Sequence, residues 1–250
     1  MSILFNRFIK KLRLFKNWFR IKSFSNTKWM RYVAESQKVI IESNPNPYYQ
    51  DKYMGEEISY WLLIPKWIYE WSRKNKVTHC LDIGSAYGTL AIFAKKIFNC
   101  KIYCIDFTDR YISTQLISDN NINFSISNIE IDKVPFDLKF DMIIFTEVLE
   151  HLNYNPINTL KKIRNSMTAD GVLYISTPDA KDWGKVTKYY KKYTMMPEPN
   201  TIKPTIDDHV YQYDVKEFKQ IIDAAGFKIS KLKYSPGILN KHINAELVCK

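Results

Sequence analysis

The sequence predicts an α/β fold in which helices cover a mostly parallel β-sheet. From Val77 to the C-terminus, short apolar segments alternate with segments of helical periodicity, a pattern typical of right-handed βαβ units. A glycine-containing turn joins the first apolar segment directly to a helix, as such a unit requires. The chain has 250 residues, of which 46% are hydrophobic, so it can bury a substantial core.

Basic residues are concentrated at the N-terminus. The chain has a net charge of +11, and nine of its 37 basic residues but none of its 26 acidic ones lie within residues 1–31. The remaining 28 basic residues nearly balance the 26 acidic ones. Nucleic acid is therefore not an expected partner, because phosphate binding would depend on residues 1–31 alone.

Residues 3–22 predict an amphipathic helix. At about 100° per residue, its apolar side chains fall within one arc, and Lys10, Arg13 and Arg20 lie opposite. The helix fits an anionic membrane surface, or equally a docking site on its own domain or on a partner. An acid-free start of this kind also fits an organellar presequence. The apolar arc contains Leu4, Phe5, Phe8, Leu12, Phe15 and Phe19.

The segment Asn44-Pro45-Asn46-Pro47 breaks the chain after this region. We therefore predict a basic N-terminal extension over residues 1–45 and a main domain over residues 46–250. The main domain begins with a helix over residues 56–74, which we expect to bend or restart at Pro65 because proline lacks an N–H.

The main domain then alternates between predicted strands and helices. An insertion over residues 178–213, rich in Pro, Lys and Tyr, interrupts this rhythm and is predicted to form a lid that shapes a substrate site. Helices are expected over residues 86–98, 109–119, 156–168 and 214–227. Strands are expected over residues 77–83, 101–106, 123–127, 140–145, 171–176, 227–234 and 243–249.

The turn after the first strand, residues 82–88 with the sequence DIGSAYG, predicts a ligand-binding loop. Glycine lets the backbone turn tightly, and the following helix offers unpaired N–H groups. Asp106 ends the second strand, where a carboxylate can accept hydrogen bonds from two ribose hydroxyls. As a dinucleotide fingerprint the loop fails, because Ala86 and Thr89 replace two of three glycines. This disfavours an NAD(P)-dependent oxidoreductase.

In this order and spacing, the motifs resemble those of class I S-adenosylmethionine (AdoMet)-dependent methyltransferases. The resemblance includes the loop, Asp106 and the stretches 128–152, 170–179 and 209–227. It implies a Rossmann-like, seven-stranded, mostly parallel sheet in the order 3-2-1-4-5-7-6, with the last strand antiparallel and helices on both faces. It also implies AdoMet as the cofactor.

The resemblance further implies which residues contact AdoMet. Asp82 would lie beneath the loop near the ammonium group, and Ala86 departs from the family by replacing the middle glycine, which narrows the loop. Gly84, Ser85, Ala86, Tyr87 and Gly88 would line the methionine moiety. Asp106 would bind the ribose, Phe107 would pack on the adenine, Asn128 and Ile129 would contact its edge, and Thr146 and Glu147 would border the methyl donor.

Two histidines are candidates for a catalytic base, because imidazole titrates near neutral pH. His151 follows the fourth strand, and His209 precedes the last helix. A helix over residues 146–152 would place Glu147, Glu150 and His151 on one face, where they could hold a divalent ion. The pattern resembles the E-x-x-E-H of ubiquinone-biosynthesis O-methyltransferases, although a metal is not expected and His151 can equally be structural.

The remaining histidines and cysteines are expected to carry no chemistry. His79 and His242 have no supporting motif and are predicted to be structural or exposed. The four cysteines show neither metal-ligand spacing nor a disulfide framework, so they are predicted to be buried thiols.

The leading hypothesis is a methyltransferase acting on a hydroxyl of a saccharide or lipid-linked glycan. A quinone or phenol is the alternative acceptor. An oxidoreductase and a non-catalytic membrane-associated scaffold are alternatives of other classes, and the scaffold is disfavoured because the cofactor motif is retained. We expect a cytoplasmic protein, peripheral at the inner face of the membrane through residues 3–22.

Overall fold

The computed structural model describes residues 15–185, 188–204, 208–238 and 240–250. Within these ranges the strands form one seven-stranded sheet of order β3-β2-β1-β4-β5-β7-β6. All neighbours are parallel except β5 with β7 and β6 with β7. The predicted fold class, strand order and antiparallel last strand are confirmed. The strands are β1 His79–Ile83, β2 Lys101–Asp106, β3 Asn123–Ile126, β4 Phe140–Thr146, β5 Met167–Pro178, β6 Phe227–Ser235 and β7 His242–Cys249.

Helices connect the strands, and several begin at a side-chain cap. Ser113 caps α5, which explains why this helix starts later than predicted, and Asp214 forms a capping box with Glu217 at α8. The helices are α1 Lys28–Ser43, α2 Met54–Trp61, α3 Leu63–Trp71, α4 Thr89–Phe98, α5 Thr114–Asp119, α6 Pro156–Asn165, α7 Ala180–Trp183 and α8 Val215–Ala224. A π-helical turn spans Tyr49–Tyr53, and 3₁₀ turns span Leu149–His151 and Tyr193–Met195.

The predicted helix over residues 56–74 is divided into α2 and α3, but the break lies at Leu62 and not at Pro65. Pro65 occupies the first turn of α3. There the missing N–H has no hydrogen bond to lose within the new helix, so proline is tolerated. The position of the break was therefore predicted three residues too late.

The central strands are buried on both faces, because an apolar core lies on each side of the sheet. Consecutive side chains of a strand point to opposite sides and therefore enter different cores. In β4, Met142 packs in the core beneath α1–α4, whereas Ile143 packs in the core beneath α6 and α8. The same alternation divides Cys80 from Leu81 in β1. This two-sided burial explains why these strands read as continuous apolar runs.

Helix α1, which the sequence analysis placed in the N-terminal extension, belongs to the main core. Its side chains Trp29, Val33 and Ile40 are buried in the same cluster as the sheet. The residues before it, 15–22, are also helical. The predicted apolar residues Leu4, Phe5, Phe8 and Leu12 and the basic residues Lys10 and Arg13 lie outside the described residues.

Cys80, Cys100 and Cys104 are buried free thiols and Cys249 is a half-buried one, so the prediction is confirmed for the first three. Across the part of the chain that the structure describes, no helix has both the length and the apolar character needed to span a bilayer.

Candidate active site

A cavity of about 570 Å³ lies at the carboxyl ends of the central strands. Gly84 follows β1, Asp106 ends β2, Thr146 ends β4 and Pro178 ends β5, and all four line the cavity. Open α/β sheets bind ligands at this edge. The other walls come from α2 and from the insertion over residues 178–213.

The loop after β1 is held tightly to the end of β2. Gly84 has φ +69°, and a Cβ there would lie 2.3 Å from Cγ2 of Val148, so only glycine fits. Its N–H donates to the Ile105 carbonyl at 2.8 Å. The Ala86 N–H donates to Oδ2 of Asp106 at 3.0 Å, and Ala86 itself has φ +45°, a conformation that is costly for a residue with a Cβ.

Most of the residues predicted to bind the cofactor line the cavity, but Asp82, Ser85 and Gly88 do not. Asp82 is buried on β1, where burial and the nearby Asp106 raise its pKa to about 8. Gly88 is the N-cap of α4. Asp82 and Gly88 flank the loop at its two ends, and a contact of Asp82, Ser85 or Gly88 with AdoMet stays a prediction. The lining set comprises Gly84, Ala86, Tyr87, Asp106, Phe107, Asn128, Ile129, Thr146 and Glu147.

The segment predicted to contact the adenine edge is rigidly held. Oδ1 of Asn128 accepts a hydrogen bond from the Glu130 N–H at 2.9 Å. The Lys162 ammonium donates to the carbonyls of Ile129 and Asp132 at 2.7 and 2.5 Å. These bonds fix the backbone beside the cavity before any ligand binds.

The two candidate catalytic histidines lie together in the cavity wall, with ring centroids 4.8 Å apart. Nδ1 of His151 lies 3.0 Å from the Asp208 carbonyl, which can only accept, so the neutral ring carries its lone pair on Nε2. Nδ1 of His209 accepts from the Gln212 amide at 3.0 Å. Burial, together with His151, lowers the pKa of His209 and favours a neutral ring with its proton on Nε2.

Glu147, which is partly buried, forms an unpredicted pair with the buried His242. Oε2 of Glu147 lies 2.8 Å from Nδ1 of His242, and Oε1 accepts from the Ser176 hydroxyl at 2.6 Å. Burial alone would raise the pKa of Glu147, but His242 and Ser176 more than offset it and lower that pKa. His242 is buried and lines the cavity. His242 thus has the structural role that the sequence left open for it, because it holds a carboxylate that lines the cavity.

Five rings form a continuous row along the cavity wall. Tyr60 stacks on His242 at 4.7 Å, and Trp183 contacts His242 at 5.7 Å and His209 at 6.0 Å. His151 completes the row beside His209. Sequence reasoning missed Tyr60 and Trp183, because the only signal was the general aromatic content of their two segments.

The predicted metal ligands are not arranged as expected. Residues 146–152 contain the end of β4 and one 3₁₀ turn and not a helix, because Glu147 has φ +55°. The group that could hold an ion is instead Glu150, His151 and His209, whose ligand atoms lie within 4.8 Å of one another. Burial and the nearby Glu147 raise the pKa of Glu150 well above its usual value, which opposes the ionised form that a metal requires.

The chain belongs to the class I AdoMet-dependent methyltransferases. A sequence model of the methyltransferase domain matches residues 52–232, which includes the loop, Asp106 and most of the cavity wall. The protein is therefore an AdoMet-dependent methyltransferase with AdoMet as its cofactor. No curated protein matches the chain in sequence.

Solved structures of methyltransferases share the fold. An O-methyltransferase from a trans-AT PKS multienzyme of Brevibacillus brevis, in complex with S-adenosyl-L-homocysteine, has a TM-score of 0.59 and 15% identity over 84% of this chain and 79% of that one. A 1,6-didemethyltoxoflavin-N1-methyltransferase of Burkholderia thailandensis has a TM-score of 0.59 and 14% identity, covering 84% and 88%. Magnesium protoporphyrin IX methyltransferase of Synechocystis, with bound SAM, has a TM-score of 0.54 and 12% identity, covering 93% and 96%.

Proposed function

We propose that the enzyme methylates a hydroxyl group of a saccharide carried by a lipid. The row of rings from Tyr60 to His151 supports this proposal. An aromatic wall can pack against the apolar C–H face of a sugar, while a few polar groups fix its orientation. His151, at the end of the row, would then lie beside the sugar hydroxyl.

The charges of the cavity favour an acceptor without a phosphate in the site. Among the described residues that line the cavity, none is Lys or Arg, whereas Asp106, Glu130, Glu147 and Glu150 are acidic in type. The positively charged AdoMet fits such a site, but a phosphate would find no cationic partner there. In a lipid-linked glycan the sugar would enter the cavity and the phosphate would stay outside.

AdoMet supplies an electrophilic methyl group on its sulfonium. We propose that Gly84, Ala86, Tyr87 and Asp106 hold the cofactor, and that Nε2 of His151 accepts the proton of the acceptor hydroxyl. The new bond joins the acceptor oxygen to the methyl carbon, and the electron pair of the broken bond stays on sulfur. His209, with a proton on Nε2, would donate a hydrogen bond that orients the acceptor.

A quinone or phenol is the second candidate acceptor. The nearly parallel rings of Tyr60 and His242, at an interplanar angle of 26°, favour it, because a planar acceptor could extend the same stacking. A phenol also ionises more readily than a sugar hydroxyl and would depend less on His151.

The proposal is tested by incubating the enzyme with isotopically labelled AdoMet and one acceptor of each kind: polyprenyl-phosphate-linked sugars, methyl glycosides and catechol. Mass spectrometry would locate the labelled methyl group. We expect label on a saccharide hydroxyl, and a rate at least about 100-fold lower for His151→Asn, since a general base contributes that much. The control His79→Asn, at a half-buried residue outside the cavity, should leave the rate unchanged.

Label on catechol alone would favour the second candidate and contradict the first. A His151→Asn variant that retains the full rate would contradict the assignment of the base. If S-adenosylhomocysteine binds and no acceptor is labelled, neither acceptor class is supported.

A further inference from the structure

The N-terminal helix over residues 15–22 is fixed to the domain by its polar face. The Asn17 side-chain amide donates to the carbonyls of Gly237 and Ile238, both at 3.2 Å. The Arg20 guanidinium donates to the Tyr234 carbonyl at 3.2 Å. The helix therefore docks on the β6–β7 connection through the side that the sequence pattern would have left to solvent.

The opposite face of this helix carries a cluster of exposed aromatic rings. Phe15, Trp18 and Phe19 are 61%, 51% and 52% exposed. Their rings touch, with centroids 4.7 Å apart for Phe15 and Phe19 and 5.0 Å for Trp18 and Phe19. Lys22 lies 4.5 Å above the Trp18 ring, so a cation accompanies the cluster. A contiguous aromatic patch exposed to water indicates an interaction surface.

We propose that this patch, formed by Phe15, Trp18 and Phe19, docks on an anionic lipid surface. Residues 1–31 hold nine basic side chains and no acidic ones. Their positive charge is opposite to that of an anionic lipid surface and is attracted to it. Apolar rings beside basic side chains are the composition of helices that lie in the membrane interface, where Trp is favoured.

The same charges argue against a second copy of the chain as the partner of the patch, and the packing of the rings argues against nucleic acid. A second copy of the chain would add another nine basic residues and no acidic ones within its own residues 1–31, and like charges repel. The rest of the chain is nearly neutral and offers no compensating acidic excess. Nucleic acid would contact the basic residues but would not require three mutually packed aromatic rings. The polar face of the helix, which would face the phosphates, already contacts the domain through Asn17.

The docked helix is directly connected to the cavity wall. The Gly237 carbonyl accepts from Asn17, and a Cβ at Gly237 would lie 2.8 Å from Cδ2 of His242. Lipid docking would therefore bring the His242 side of the cavity towards the membrane, where a lipid-carried acceptor lies. This consequence rests on the proposed function, whereas the docking itself does not.

The experiment is co-sedimentation of the full chain with phosphatidylcholine vesicles, with and without phosphatidylglycerol. We expect binding only to the anionic vesicles, and at least about tenfold weaker binding for F15S/W18S/F19S, because the apolar rings no longer enter the interface. The matched control I126S/M195S/I202S removes three apolar side chains that are exposed elsewhere and should bind as the parent does. Both variants keep every basic residue.

Affinity for S-adenosylhomocysteine, measured by calorimetry on the same samples, separates this proposal from the proposed function. We expect it to be unchanged in both variants. Equal vesicle binding by parent and F15S/W18S/F19S would overturn the proposal. The proposal would also be overturned if the parent chain did not bind vesicles but formed a dimer or bound RNA, and if F15S/W18S/F19S lost that dimerisation or RNA binding.

Discussion

Glu147 and His242 form a partly buried pair in which Nδ1 of the imidazole lies 2.8 Å from Oε2 of the carboxylate. Glu147 follows β4 and His242 begins β7, and Ser176 on the intervening β5 donates to the same carboxylate. The positive φ of Glu147 turns its side chain into the cavity at the cost of backbone strain. The pair thus ties three neighbouring strands together at the sheet edge that lines the cavity.

Replacing His242 by Ala should cost about 3 kcal/mol, because a largely enclosed carboxylate loses its partner. Urea unfolding at pH 7 would measure this loss. The double variant with Glu147→Ala should lose less than the sum of the single losses, since it leaves no carboxylate without its partner. Lys38→Ala is the control, because its pair with Glu42 is exposed and contributes little.

The pair should also depend on pH in a defined direction. The pKa of Glu147 is lowered by the fold, so its contribution is present above the usual value of 4.5 and is lost as the pH falls below it. The stability difference between parent and double variant should therefore shrink in acid. A difference that grows in acid, or additive single losses, would contradict the pairing.

Replacing Gly84 by Ala should destabilise the protein by at least about 2 kcal/mol, because the new Cβ meets Val148 and φ is positive. Thermal unfolding would measure it. Val148→Ala in the same chain should recover part of the loss by removing the clash. Gly55→Ala in α2, where a Cβ has open space, should be neutral or stabilising. Equal effects at the two glycines would contradict the steric argument.

Replacing Asp106 by Asn should weaken S-adenosylhomocysteine binding at least about tenfold, because hydrogen bonds to a charged acceptor are stronger than those to an amide. The change also weakens the bond from Ala86 that positions the loop. Calorimetry would measure the affinity, with Asp109→Asn, an exposed neighbour, as the control. Unchanged affinity for Asp106→Asn would remove the proposed ribose contact.

Glu57 should make the protein less stable as the pH rises. Burial raises the pKa of Glu57 to about 7, although Gln37, Tyr49 and Thr89 all donate to its Oε1. A carboxyl whose pKa is raised by folding stabilises the fold fully when the pH is below the usual pKa of 4.5. This stabilisation is lost as the pH rises through the raised pKa of about 7. Glu57→Gln should flatten the fall in melting temperature between pH 5 and about 8, whereas Glu42→Gln at an exposed site should not.

A steeper fall for Glu57→Gln than for the parent would show that the ionised carboxylate is the favoured form. In that case the three donors outweigh burial.

Much of the fold and part of the site follow from local sequence. Alternating apolar segments predicted the strands, because each strand and helix is defined by its own periodicity. The loop from Gly84 and the carboxylate of Asp106 were predicted because the loop follows β1 and Asp106 ends β2, and parallel strands end at one edge. A strand end is a local feature, so its place in the site follows once the sheet is known.

Only the tertiary structure decided the part of the cavity wall that Glu147 and His242 form. His242 and Glu147 are 95 residues apart, and their contact exists because β7 inserts between β5 and β6, which no spacing in the sequence encodes. The N-terminal helix shows the same division: its two faces could be read from 100° periodicity, but which one binds the domain depended on the carbonyls of Gly237 and Ile238, which accept from Asn17. Periodicity specifies the faces of an element, whereas the partners of a face are set by distant backbone that only folding brings near.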